Sequence, residues 1–294
     1  MKIAVTGASG FIGQHVVRSL ARRADLEIVT VSRGAYRAEA GGQSWPHVQM
    51  DLTAPAIDDF ERLGKPDALI HLAWSGLPNY KSLHHFETHL GEQYRFLAGL
   101  VRAGLPSLLC AGTCFEYGMR TGELLESMPT DPTNPYGHAK DSLRRQLEFL
   151  RAAKHFELTW CRLFYMYGEG QPATSLYAQL LAAGGRGDTS FNMSAGEQLR
   201  DFLPVETVAE CIAALATRAP GPGLVNVCSG KPVSVRSLVE GWLRERGWTM
   251  ELKLGHYPYP DYEPMAFWGS TKRMHSLVYP ILDPHQTEFS QEMS

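Results

Sequence analysis

No apolar run in this sequence approaches the ~20 residues that a membrane-crossing helix needs, so a helical span is excluded. Charge of neither sign prevails: 28 Lys and Arg face 31 Asp and Glu, a formal net charge of −3. Such a balance gives nucleic acid or an anionic membrane surface nothing to hold. Cysteine is scarce and unpatterned. Cys110, Cys114, Cys161, Cys211 and Cys228 make an odd count with no CxxC pair, and several lie in apolar runs. That suits reduced, buried thiols in a cytoplasmic protein and not a disulfide framework. Internal repeats and low-complexity segments are also missing. A metal motif is lacking as well: "HHFETH" puts His85 and His89 at i,i+4, but the glutamate is misplaced for HExxH and no third ligand is apparent. The pair reads as a surface helix and no metal is expected. Before "KIAVT" there is no room for a signal peptide, so a cytoplasmic location is expected.

What is present is an ordinary globular composition, 44% hydrophobic and 20% charged over 294 residues, enough for one large or two modest domains. Ile3-Ala4-Val5 is an apolar run that stops at Thr6-Gly7, as for a strand buried on both faces. A helix from Phe11 to about Arg23 follows, with Ile12, Val16, Val17 and Leu20 on one face. Residues 26–33, 48–52, 68–74, 107–112 and 158–164 read as further strands, with helices around 83–102 and 136–154. Strands alternating with helices imply βαβ units with right-handed crossovers. The fold class is therefore α/β: a doubly wound, mostly parallel Rossmann sheet forming a dinucleotide-binding domain over residues 1–167. Beyond Gly168 the pattern loosens. Residues 168–294 are expected to form a smaller substrate-binding domain over the carboxyl edge of the sheet, with the strand near 223–229 returning to the main sheet. Loops are expected at 168–176 and 182–190, helices over 204–216 and up to Gly247, and an irregular "YPYPDYEP".

"TGASGFIG", Thr6 to Gly13, sits between the first strand and the first helix. Gly7 permits a tight turn, Gly10 lets backbone approach a pyrophosphate, and Gly13 allows close helix–strand packing; the helix start offers free N–H groups to the anion. The second strand ends in Ser32 and Arg33 with no carboxylate to accept from a ribose 2′-OH. An arginine there suits a 2′-phosphate, which favours NADPH over NADH.

Loop punctuation in "PTDPTNPYGHAK" runs into Tyr136, with Lys140 one helical turn on. Asn134 suits an N-cap and Pro135 the first helical position. With TGxxGxxG and this YxxxK, the chain resembles the extended short-chain dehydrogenase/reductase (NAD-dependent epimerase/dehydratase) family, whose members work on nucleotide-activated sugars. The resemblance spans essentially the whole chain and rests also on "DL" at 51–52, "HLAW" at 71–74, "GTCFEYG" at 112–118, "RLFYMYG" at 162–168 and "RDFLPVETVA" at 200–209.

That resemblance implies cofactor contacts from Gly7, Ser9, Gly10, Phe11, Ile12, Gly13, Ser32 and Arg33, with Asp51 and Leu52 flanking the adenine and Leu72, Ala73 and Trp74 lining the centre. It makes Thr113, Tyr136 and Lys140 catalytic, with Tyr136 and Lys140 also on the nicotinamide side, and places Arg200 at the substrate's diphosphate. Tyr165 and Asn192 are candidates for the substrate pocket; Trp74 and Tyr80 are weighed there too. A free tyrosine ionises near ~10, so poising it near 7 needs roughly 4 kcal/mol of preference for phenolate, which the Lys140 ammonium, the helix start and the cofactor charge are expected to supply.

Within the family, dehydratases carry Asp-Glu directly after the active-site Thr. Here Cys114 and Phe115 stand there, and Glu116, one residue late, points away if the segment is extended. That argues against a dehydratase. The motifs look most like reductases of nucleotide-linked 4-keto-6-deoxyhexoses, such as CDP-abequose synthase-like enzymes. A 4-epimerase holding NAD tightly is the alternative, and a non-catalytic NADPH-binding regulator is the reading from another class. Cys110 and Cys114 near the cofactor read as small filling groups and "GRGD" at 185–188 as a polar loop. The family also points to a homodimer through the helices around 83–102 and 136–154.

Overall fold

The computed structural model describes residues 1–35, 39–40 and 43–278. The end of the expected second domain, 279–294, lies outside the described residues. Seven strands form the central sheet: β1 (Lys2–Thr6), β2 (Glu27–Ser32), β3 (His47–Gln49), β4 (Ala68–His71), β5 (Ser107–Thr113), β6 (Glu157–Leu163) and β7 (Gly223–Val227). Their spatial order is β3-β2-β1-β4-β5-β6-β7, and each neighbouring pair runs parallel. The order reverses at β1, so the crevice beyond its carboxyl end, between β1 and β4, is where an open α/β sheet binds its ligand.

Period-two alternation sorts the sheet's side chains into two cores. Ile3, Val5, Ile70, Leu109, Cys161, Val225 and Val227 meet Val16, Val17 and Leu20 of the Phe11–Leu20 helix and the Val205–Ala216 helix. Ala4, Val29, Val31, Leu69, Leu108, Cys110 and Trp160 face the opposite way, onto Phe96, Leu97 and Val101 of the Leu90–Ala103 helix and Leu143 and Leu147 of the Pro135–Ala153 helix. A separate core, with Leu180, Phe191, Met193, Val239 and Trp242, underlies short strands and two helices from the second half of the chain. All five cysteines are buried and free.

Two sequence expectations need correction. The helix at Leu176–Arg186 runs through Ala182-Ala183-Gly184-Gly185, where a loop was expected. The reason is the Trp248 indole: a Cβ at Gly184 would lie 2.2 Å from it, so glycine here answers to tertiary packing and not to chain reversal. The turn His85–His89 is a wide π-type turn leading into Leu90–Ala103, and both histidines are buried, at 1% and 5% exposure, not on a solvated face. Among the described residues no helix is long and apolar enough to cross a membrane.

Candidate active site

At the carboxyl edge of the sheet, the chain leaves β1 through Gly7, whose backbone is left-handed (φ +72°), and enters the Phe11–Leu20 helix. A Cβ at Gly13 would stand 2.1 Å from the Gly7 carbonyl oxygen, so the helix approaches the strand as closely as backbone permits. The helix has no side-chain cap at Gly10 and no acidic group in its first turn. Its free N–H groups and positive end face a groove of 240 Å³ lined by Gly7, Ser9, Gly10, Ser32, Arg33, Asp51, Leu52, Leu72, Ala73 and Trp74. The donor set and the missing side chains fit a pyridine dinucleotide. Of the sequence candidates for that role, Phe11 and Ile12 lie instead in the next cavity. At the far end the Asp51 carboxylate accepts from Thr53 N and Oγ1 at 3.0 and 2.9 Å, which holds it below its usual range, with Arg33 adding to the effect.

The adjoining cavity, 490 Å³, shares Leu72 and Trp74 with the groove. Thr113, Tyr136 and Lys140 all line it, with Tyr80, Cys114, Phe115, Tyr165 and Glu263. Three local devices bring the first three together. Asn134 Oδ1 accepts from Gly137 N at 2.8 Å and caps the Pro135–Ala153 helix, with Pro135 in its first turn, as the sequence indicated. Gly137 lies against the Phe115 carbonyl, where a Cβ would come within 2.7 Å. Thr113, ending β5, caps the Cys114–Tyr117 3₁₀ turn: Thr113 Oγ1 accepts from Phe115 N at 3.3 Å, and Glu116 Oε1 accepts from Thr113 N at 2.9 Å.

Glu116 is thus committed elsewhere. It is fully buried, accepting also from Trp160 Nε1 at 2.9 Å and from Arg162 Nε at 2.7 Å. It stays out of the cavity because the segment is a 3₁₀ turn braced on Arg162, not because it is an extended strand.

Tyr136 and Lys140 are 8% and 2% exposed. The Lys140 ammonium donates to the Ala111 carbonyl at 2.9 Å and lies 3.9 Å from the centre of the Trp74 ring, but 5.9 Å from that of Tyr136. Burial pushes it down to about 8. Burial pushes the Tyr136 phenol well above its usual value; Tyr80, Glu116 and Cys114 act in the same direction and Thr113 opposes them. The sequence suggested a phenol lowered by its lysine; burial acts in the opposite direction and is the largest influence on Tyr136. The proton stays on Tyr136, the state a proton donor requires. Aromatic and imidazole rings enclose it, with centroids at 5.3 Å for His85, 5.5 Å for Tyr80, 6.0 Å for Trp74 and 6.3 Å for Phe115. Cys110 and Cys114 are held protonated by burial, Cys110 pushed up to about 12, which removes thiolate chemistry.

A third cavity, 540 Å³, shares Tyr165, Gln171 and Glu263 with the second and is lined also by Asn192, Arg200, Phe202 and Tyr257. Tyr165 and Asn192 therefore sit where a substrate would extend. Arg200 is 3% exposed, and its Nε and Nη2 donate to Glu263 Oε2 at 3.0 and 2.8 Å. The sequence reading missed Glu263. It stands 63 residues from Arg200 in the Pro/Tyr-rich stretch, and local spacing carries no signal for that pair. It missed also that His85, His89 and Ser75 approach the site: Trp74 Nε1 donates to His85 Nδ1 at 3.1 Å, and Ser75 and His89 line the groove. Among the described residues no three His, Cys, Asp or Glu side chains converge as a metal site.

Comparison with known proteins agrees with this arrangement. Residues 3–228 match the model of the NAD dependent epimerase/dehydratase family. A dTDP-6-deoxy-L-talose 4-dehydrogenase (NAD(+)) of Aggregatibacter actinomycetemcomitans is 29% identical over 92% of this chain and 100% of its own length. A UDP-glucose 4-epimerase of Azospirillum brasilense is 29% identical over 81% of this chain and 75% of its own. Among solved structures, MoeE5 in complex with UDP-glucuronic acid and NAD superposes with a TM-score of 0.80 at 26% identity, covering 95% of this chain and 93% of that one. With its switch-point groove, glycine loop and Tyr136/Lys140 pair on one rim, the chain belongs to the NAD dependent epimerase/dehydratase family.

Proposed function

We infer that the protein is an NAD(P)H-dependent oxidoreductase that reduces the 4-keto group of a nucleotide-linked (6-)deoxyhexose, with Tyr136 as proton donor. The observation that carries this reading is continuity. A groove lined by the glycine loop, a cavity holding a protonated tyrosine beside Thr113, and a larger cavity with an arginine meet end to end through shared residues. A bound dihydronicotinamide supplies the hydride. Tyr136 holds its proton at Oη until charge develops on the ketone oxygen, then releases it to that oxygen. Thr113 Oγ1 is the hydrogen-bond partner for the same oxygen. Lys140 keeps positive charge close to the phenol, and the Tyr80, Phe115 and His85 rings keep water from it. A positioned proton donor contributes typically ~10²–10⁴-fold. Arg200 is the group for the diphosphate, with Tyr165 and Asn192 along the third cavity.

The relatives named 4-dehydrogenases support the position of attack, since 4-oxidation is the reverse of 4-keto reduction. Arg33 at the end of β2, with Ser32 and no carboxylate beside it on that strand, supports NADPH as the preferred reductant. A tenfold lower KM for NADH than for NADPH would reject that preference. The test of the reaction is a panel of 4-keto nucleotide sugars generated in place by a dehydratase. Stoichiometric loss of NADPH absorbance with a 4-hydroxyl product by NMR is expected. The 4-epimerase relative gives a second reading, in which NAD stays bound and hexoses interconvert without net loss of reduced cofactor. That outcome would replace the reductase. A non-catalytic NADPH sensor, the third reading, predicts binding without turnover on any substrate of the panel.

A further inference from the structure

Beside Tyr136 stands an imidazole to which the reaction above gives no task beyond excluding water. His85 opens the wide turn His85–His89 and is 1% exposed. Turns of this π type are rare and frequently mark functional sites. Here the turn sends the ring inward, between two neighbours. One is Gly76, where a Cβ would lie 3.1 Å from His85 Cε1; the other is the Tyr136 ring, at a centroid distance of 5.3 Å.

The two hydrogen-bond partners of His85 fix its tautomer. An indole N–H only donates, so Nδ1, 3.1 Å from Trp74 Nε1, accepts and carries no proton. A carbonyl oxygen only accepts, so Nε2, 2.9 Å from Asn79 O, carries the proton and donates it. The ring is therefore neutral with both nitrogens in use. Burial holds it below the usual imidazole range; the Asn79 carbonyl opposes this, and His89, His84 and Lys140 act with burial. The Tyr136 phenol facing it stays protonated.

Each bond ends on a wall of the Tyr136 cavity. Trp74 lines that cavity, stacks on His85 at 6.2 Å and 28°, and carries the Lys140 ammonium 3.9 Å from its ring centre. Asn79 precedes Tyr80, whose carbonyl accepts from Tyr136 N at 3.2 Å and whose ring centroid is 5.5 Å from that of Tyr136. One neutral imidazole thus joins the ring under the Lys140 ammonium to the loop that packs on the Tyr136 phenol.

Building on the reductase reading above, we propose that His85 is a positioning residue for proton transfer, acting through Trp74 on the Lys140 ammonium and through Asn79 on the packing of Tyr80 against Tyr136. A proton added at Nδ1 faces the indole N–H, donor against donor, and breaks the tie to Trp74. The rate therefore falls in acid.

Two readouts on the whole chain test this. The first needs no ligand: the indole N–H signals of the six tryptophans by heteronuclear NMR, with Trp74 assigned through Trp74→Phe. The Trp74 signal is expected to move as pH falls below ~6.5, the free imidazole value. It is expected to hold still in His85→Asn, whose amide oxygen takes the place of Nδ1 and does not titrate. The second is single-turnover reduction of a 4-keto nucleotide sugar by saturating NADPH between pH 7 and pH 5. The wild-type rate is expected to fall severalfold on the acid side. At pH 7 His85→Leu is expected to be about tenfold slower, the size of one lost hydrogen bond, and His85→Asn within about threefold of wild type. His85→Asn should also flatten the acid limb. An acid limb that persists in His85→Asn, or an Asn variant as slow as the Leu one, would overturn the proposal. A Trp74 signal that ignores pH in a protein that does reduce the sugar removes the role of His85 alone. A signal that titrates in a protein that turns over no 4-keto sugar removes the reductase reading instead.

Discussion

Replacing Glu116 by glutamine tests how Thr113 is held. The side chain is fully buried and accepts three hydrogen bonds: from Thr113 N, Trp160 Nε1 and Arg162 Nε. A second guanidinium, on Arg144, lies 3.9 Å away, but it has Asp141 and Glu148 as partners of its own. Among the described residues no other carboxylate pairs with Arg162; it is 1% exposed and stacks 4.3 Å over the Tyr117 ring. Glutamine keeps the shape but removes the charge, and its amide leaves at least one of the three donors facing another donor. Removing one partner of a buried pair typically costs ~3–5 kcal/mol, because the remaining charge stays buried without compensation. At ~2–4 °C per kcal/mol for a chain of this size class, Tm should fall by roughly 6–20 °C. Thermal unfolding followed by circular dichroism reads this directly. Glu116→Leu combined with Arg162→Leu removes both charges and should recover most of the loss. A single-variant Tm within ~2 °C of wild type would refute the reasoning, which rests on an unpaired Arg162 being costly.

Further expectations follow from the same geometry. Because the folded Lys140 titrates near about 8 and a free lysine near ~10.5, the unfolded chain binds the extra proton between those values. Stability therefore rises with pH across that window, and the charge penalty is complete below it, ~3 kcal/mol, shrinking to ~1.5 kcal/mol by pH 9.5. Lys140→Met should move the urea midpoint upward more at pH 7 than at pH 9.5, even after loss of the Ala111 hydrogen bond; the opposite trend would contradict the burial argument. Glu263→Gln should tighten binding of a free nucleoside diphosphate several-fold in calorimetry, by releasing Arg200 from its internal carboxylate. Weaker binding would mean that Glu263 assists the ligand instead of competing with it.

The sheet, the glycine loop and the capped Tyr136 helix were legible in the sequence because each is written in adjacent residues. Alternation sets the strands, Gly7 and Gly13 set the turn, and Asn134-Pro135 sets the helix start. What stayed hidden depends on distant partners. Arg200 and Glu263 meet across 63 residues, so the carboxylate partner of Arg200 could not be read from local spacing. His85 and His89 carry a spacing that also suits solvated helices, and only the packing of Trp74 against them reveals that they face inward. The Tyr136 phenol shifts upward for a related reason: burial is its largest influence, and the ammonium one helical turn on lies nearer the Trp74 ring than the Tyr136 ring. Glycines in the Leu176–Arg186 helix misled because Trp248 is contributed from outside the segment.

The central claim is that Tyr136 gives the proton while the rest of the site binds. Single-turnover reduction of a 4-keto nucleotide sugar by Tyr136→Phe, measured beside NADPH affinity, tests it most directly. The account predicts a rate lower by ~10²–10⁴-fold with cofactor affinity within a few-fold of wild type. A rate within a few-fold of wild type would contradict it.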